Sequence, residues 1–131
     1  MNTIEIRTRM KEEFVDVTAD VGRIVAASGV ASGICVVAVP HTTAGVTINE
    51  NADPDVRADL LTTLRRIVPD ALPYAHAEGN SPAHVKASLV GSSAILTVEG
   101  GRLQLGTWQG IFFCEFDGPR TRKVWVQVVG R

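Results

Sequence analysis

The chain has 131 residues, 45% of them hydrophobic and 21% charged, with a formal net charge of −1. This length suits a single domain spanning residues 1–131, and it allows a core that needs neither metal nor disulfide in order to fold. No run of Lys or Arg exceeds two residues, so nothing suggests a counterion-releasing nucleic-acid surface, and nucleic acid is not an expected partner. No stretch approaches the roughly 18 apolar residues of a membrane span, and MNTIEIRTRMKEEF lacks an apolar signal core. A cytoplasmic protein with no membrane partner is the expectation.

Thr3 to Thr8 alternates, with Ile4, Ile6 and Thr8 on one face, as in a half-buried strand. Phe14 to Thr18 repeats the pattern, and Lys11-Glu12-Glu13 is expected to be the tip of a hairpin between the two. Val21, Ile24 and Val25 follow helical spacing, with Asp20 as a candidate cap and Gly29 as a stop. The apolar run from Gly33 to Pro40 predicts a central strand buried on both faces. His41-Thr42-Thr43 then forms a polar turn before the alternating strand Gly45 to Glu50.

Asp53-Pro54 opens a second helix, an acidic cap followed by a proline where no N–H is needed. Leu60, Leu61 and Leu64 give it an apolar stripe up to Pro69. Residues 69–80 have no period and read as a loop. Ser81-Pro82 predicts a third helix capped by Ser81 and ended by Gly91. The remainder is β: Ala94 to Val98, Arg102 to Leu105, Trp108 to Phe116 and Arg122 to Val129, joined at Glu99-Gly100-Gly101 and Asp117-Gly118-Pro119. Strands at both ends with three short helices between them predict an α+β domain on mostly antiparallel sheet. Cys35 and Cys114 lie in apolar runs and read as buried small hydrophobes.

Several polar residues stand out as candidates for chemistry. His76, Glu78 and His84 place two imidazoles and a carboxylate close together, and His41 at a strand end could complete a three-histidine set for a divalent metal such as zinc or magnesium. The same histidines also read as surface decoration. His41 and His84 are candidate catalytic groups, with Glu50 as a general base. Thr42 and Thr43 offer hydroxyls for phosphate or for capping the turn. Asn49 belongs to the acidic stretch around Glu50, while Asn80 and Ser81 sit at the start of the third helix, where an anion is favoured. Arg120 and Arg122, two residues apart, could grip a phosphate together or pair with Glu115 and Asp117 across the hairpin. Trp108 could stack on a ring or fill an interface.

From the strand before His41 to Gly130 the chain resembles the secondary thiamine-phosphate synthase family, also known as the YjbQ-like family. The resemblance rests on HTTAGVTINENADPDV (41–56), HAEGNSPAHVKASLVG (76–91) and GRLQLGTWQGIFFCEFDGPRTRKV (101–124). It implies a homotrimer of α+β subunits whose site is lined by His41, His76 and His84. The implied reaction joins a hydroxymethylpyrimidine diphosphate to a thiazole phosphate and releases diphosphate, a possible side activity. The residues themselves fit a metal-dependent hydrolase of a phosphorylated small molecule about as well. A non-enzymatic trimer that binds a metabolite is a third expectation.

Overall fold

The structure is a computed structural model describing residues 1–131. Eight strands and three helices follow in the order β1 (Asn2–Arg7), β2 (Glu13–Asp16), α1 (Thr18–Ser28), β3 (Ser32–Ala38), β4 (Ala44–Glu50), α2 (Pro54–Ile67), α3 (Ser81–Val90), β5 (Ser93–Glu99), β6 (Arg102–Leu103), β7 (Gln109–Glu115) and β8 (Thr121–Gly130). The fold is α+β with antiparallel pairing throughout, as its sequence pattern predicts.

Two sheets, ordered β1-β8-β3-β5-β6 and β2-β7-β4, enclose the main core. Strand alternation decides which side chains enter it. Ile111 and Phe113 of β7 meet Val124 and Val126 of β8 and Cys35 and Val37 of β3 there, and α1 closes the core with Val21 and Val25. The other face of β7, with Phe112, Cys114 and Phe116, packs under Ala83 and Ala87 of α3 and Leu61 and Leu64 of α2. Full burial of each phenylalanine is worth about 1.5–3 kcal/mol. The two cysteines are buried and unpaired, and burial raises both thiol pKa values, so neither is a poised thiolate.

Three expectations need correcting. Residues 8–12 do not form a hairpin tip, because β1 pairs with β8 in one sheet and β2 with β7 in the other. The segment 116–120 likewise carries the chain from β7 to β8, which lie in different sheets. And β3 is buried on one face only. Ile34, Ile95, Trp125 and Val129 sit on the outer side of the five-stranded sheet, which no helix covers, and Ile95 is 66% exposed.

The crossings between sheets position the site. Residues 8–12, 39–43 and 116–120 each pass from one sheet to the other at the same end of the sandwich. Backbone bonds tie them together: Thr8 N–H donates to Arg120 O (2.9 Å), Gly118 N–H to Lys11 O (2.9 Å) and Phe116 N–H to Thr43 O (3.2 Å). Gly118 is required at this junction. A Cβ there would stand 2.3 Å from Met10 O and 2.9 Å from both Thr8 Oγ1 and Glu115 Cγ.

Candidate functional site

An open polar cleft lies where the crossings meet the start of α3. Its lining includes His41, Thr42, Thr43, Glu78, Asn80, His84, Arg120 and Arg122. All eight were singled out in the sequence as candidates, and chain positions as far apart as 41 and 122 meet here. The cleft continues past His41 and His84 to Ser88, Gly91 and Ser92. Gly45 allows that close approach, since a Cβ on it would meet Gly91 O at 2.6 Å.

Arg122 follows the inward row of β8, ahead of Val124 and Val126, and Glu115 follows the inward row of β7, after Ile111 and Phe113. An acid and a base thus occupy what alternation makes core positions. Glu115 is fully buried and the Arg122 side chain is 5% exposed. Arg122 Nε donates to Glu115 Oε1 (2.9 Å) and Oε2 (3.1 Å), while Nη2 donates to Glu115 Oε2 and to Thr43 Oγ1 (2.8 Å). Thr8 Oγ1 donates to Glu115 Oε1 (2.8 Å) and accepts from Arg120 N–H (2.8 Å). A pair this deep is tolerated only because each of its enclosed polar atoms has a partner. Arg122 Nη1 has no partner in the chain and yet is not enclosed, so it opens on the cleft that Arg122 lines.

Arg120 lies nearer solvent. Its Nε donates to Asp117 O and its Nη2 to Asp117 Oδ2, both at 2.7 Å, which leaves its Nη1 free as well. The pairing of both arginines with carboxylates, one of the two readings their spacing allows, is present, and the free edges leave room for the other.

His41 accepts a hydrogen bond at Nε2 from the Lys123 N–H (2.9 Å). In the neutral ring the proton therefore sits on Nδ1, which has no partner in the chain and remains open to solvent. Burial, with the Arg122 guanidinium nearby, holds the His41 pKa below the ordinary histidine value. At neutral pH His41 is an uncharged donor at the cleft wall.

The histidines do not assemble as one set. His76 and His84 stack edge to face with ring centres 5.2 Å apart, and His76 Nε2 is 3.7 Å from a Glu78 oxygen. His84 reaches the cleft, whereas His76 belongs to a neighbouring apolar hollow with Tyr74, Ala75, Ser81 and Val85. No three His, Cys, Asp or Glu residues gather around a common point, and His41 turns a ring N–H, not a lone pair, to the open side.

The start of α3 differs from expectation. Asn80 is the N-cap in place of Ser81, and its amide is turned away, donating to Asp117 Oδ2 (3.0 Å) while Oδ1 is left buried without a partner. Ala83 N–H and His84 N–H both point to Asn80 O, at 3.0 and 3.4 Å, and Pro82 has no N–H. The helix end therefore offers an anion little, and Ser81 faces the apolar hollow.

Asn49, Glu50 and Trp108 are not brought to the cleft. They sit at the other end of the seven-residue strand β4, where Asn51 N–H donates to Trp108 O (3.0 Å) and Glu50 pairs in register with Gln109. A strand of that length spans about 20 Å. Glu115 was expected as an arginine partner on an exposed hairpin; its full burial was not expected, although its place in the Ile111, Phe113, Glu115 row was a signal for it.

A family model described as UPF0047 protein YjbQ-like matches residues 2–131. The UPF0047 protein of Methanocaldococcus jannaschii is 50% identical, with 96% of this chain and 91% of its own length covered. The UPF0047 protein YugU of Bacillus subtilis is 48% identical, with 99% of each chain covered. A crystal structure of a YjbQ/UPF0047 family protein from Clostridium acetobutylicum has a TM-score of 0.97 at 53% identity, covering 98% of this chain and all of that one. A crystal structure from Sulfolobus solfataricus, described as a YbjQ-like protein of unknown function, has a TM-score of 0.95 at 34% identity, covering 99% of this chain and 96% of that one. These findings overturn the thiamine-phosphate synthase expectation, since the relatives bear only UPF0047 names and none is described by that activity.

Proposed function

The chain belongs to the YjbQ-like UPF0047 family, and from that premise we propose that its corner cleft binds a small anionic ligand, a phosphorylated molecule among the candidates. The free Nη1 edge of Arg122 carries this reading. A guanidinium held from behind by Glu115 and Thr43, with one edge left for a guest, has already lost the side-chain freedom that binding would otherwise cost. Arg120 Nη1, the His41 Nδ1–H and the Thr42 hydroxyl add donors around it. Calorimetric titration with inorganic phosphate tests the reading. Saturable binding that Arg122→Met removes is expected; binding unaffected by that change would sink it.

A divalent cation is proposed between the His76 and His84 rings, with Glu78 drawn in as a third ligand only on binding, since the three are not gathered around one point in the free chain. The proximity of the two rings and the carboxylate supports it, and a donor set of two imidazoles and one carboxylate suits zinc better than magnesium. When bound, such an ion would supply positive charge beside the anion. Zinc titration of wild type and His76→Ala by calorimetry checks it, with loss of a single site in the variant as the expected result.

A homotrimer is proposed as the assembly. What supports it is the bare apolar face of Ile34, Ile95, Trp125 and Val129, which a further copy of the chain could cover. Light scattering on wild type and Ile95→Glu is the test; an unchanged mass in the variant would place any interface elsewhere.

A further inference from the structure

The cleft holds more carboxylates than cations. Arg122 is neutralised by Glu115 and Arg120 by Asp117, and Glu78 adds a third carboxylate on the rim. Lys123 cannot redress this. It follows Arg122 on β8 and so projects to the opposite face of the sheet, where it pairs in register with Glu5. A cleft built for a chain of phosphates would present unpaired lysines and arginines, or a helix end with free N–H groups. Here the guanidiniums have their counter-charges built in, and at the start of α3 the Ala83 and His84 amides turn to Asn80 O while Pro82 has none.

The free donors give the same indication. Beside the arginines, Arg122 Nη1, Arg120 Nη1, His41 Nδ1–H and Thr42 Oγ1 are left without partners, and only the His84 ring and the Ser92 hydroxyl lie further along the cleft. Those beside the arginines number enough for the oxygens of one terminal group. A second phosphate would have to lie over the Glu78 side, against like charge, or extend towards Ser92, where no further Lys or Arg lines the cleft to receive it.

Building on the anion-binding reading, we propose that the cleft accepts a single oxyanion group of a small molecule, a carboxylate or one phosphate or sulfate, and discriminates against di- and polyphosphates. Specificity of this kind comes from counter-charges fixed in the wall, an element set against the wrong ligand as well as for the right one. Asp117 is the residue that sets it on the solvent side, because its carboxylate cancels the more exposed of the two arginines.

The test is a calorimetric series on the full chain in chelator, so that no metal adds its charge, at low ionic strength, with acetate, sulfate, phosphate, pyrophosphate and tripolyphosphate. The expected result is that pyrophosphate and tripolyphosphate bind within about threefold of phosphate or more weakly, and that sulfate matches phosphate. Affinity that climbs by more than about threefold with each added phosphate would overturn the selection while leaving the anion site standing. Failure of every anion to bind would remove the anion site and the selection with it. The variant Asp117→Asn, checked for folding by thermal melt, should gain a preference for pyrophosphate of about tenfold; a variant that folds and shows no such gain would also count against the proposal. The acetate and phosphate arms decide between a carboxylate and a phosphate as the preferred head group.

Discussion

Arg120 and Arg122 stand two residues apart, each held by a carboxylate, and they form two very different ion pairs. The Arg122–Glu115 pair closes the inward rows of two strands and is tied to Thr8 and Thr43, while half of the Arg120 side chain is open to solvent and only Asp117 holds it. Spacing along the chain does not distinguish them. What does is the end of β8: Arg122 lies inside the strand and faces the core, whereas Arg120 precedes it on the crossing. The buried pair is part of the fold and lends one edge to a ligand. The outer pair can tune what binds, and its Asp117 holds only the Asn80 amide at the start of α3 besides.

The largest effect expected from this difference is on stability. Glu115→Ala should cost about 3–5 kcal/mol, because it leaves a buried guanidinium unpaired, while Asp117→Ala should cost about 1–2 kcal/mol, since it frees the exposed Arg120 and leaves the Asn80 amide without its acceptor. Urea unfolding of the two variants measures both, and equal losses would erase the distinction between the pairs. Next comes the junction that holds them apart. Gly118→Ala forces a methyl against Met10 O and Thr8 Oγ1 and should cost about 1–3 kcal/mol, as overpacking does; a variant as stable as wild type would show that the crossings yield easily.

A smaller effect separates the two arginines as binders. Arg122→Lys should weaken oxyanion binding about tenfold, since an ammonium cannot hold Glu115 with one edge and a guest with the other, and Arg120→Lys only about twofold. Titration calorimetry of both variants reads this, and a reversed order would make Arg120 the principal contact.

The smallest effect is a pH dependence. The folded-state pKa of His41 is lowered, by burial first and by Arg122 second, so the unfolded chain binds the proton more readily. Stability from this source is complete above the ordinary histidine pKa of about 6.5 and is lost as pH falls through the lower native value. Proton NMR should find the His41 ring titrating below that ordinary value in the wild-type protein. In Arg122→Met the shift should shrink without vanishing, because the burial contribution remains.

Much of the fold was legible in the sequence because strand alternation and helix punctuation act locally. The Asp53-Pro54 start of α2, with Asp53 accepting from Asp55 N–H at 2.9 Å, and the left-handed Gly29 that ends α1 follow from the residues alone. The partnering of strands did not follow. A short polar link between two alternating segments looks the same whether the chain folds back within a sheet or steps into the opposite one, and residues 8–12 and 116–120 take the second course. The site divides in the same way. Residues at strand ends and at the start of α3 could be recognised by type, and the crossings bring them together. Asn49, Glu50 and Trp108 carried equally suggestive chemistry on the wrong end of β4, and only the direction of that strand decides the matter. Ser81 lost the cap to Asn80 by one residue.

The Thr8 hydroxyl, on the first residue after the amino-terminal edge strand β1, donates to Glu115, 107 residues further on. Whatever the cleft binds is therefore sensitive to an element that never touches it. Proteolytic trimming of β1, or a bulky fusion that frays this strand, would loosen the support behind Arg122 and show up as weakened ligand affinity, even with every residue lining the cleft unchanged.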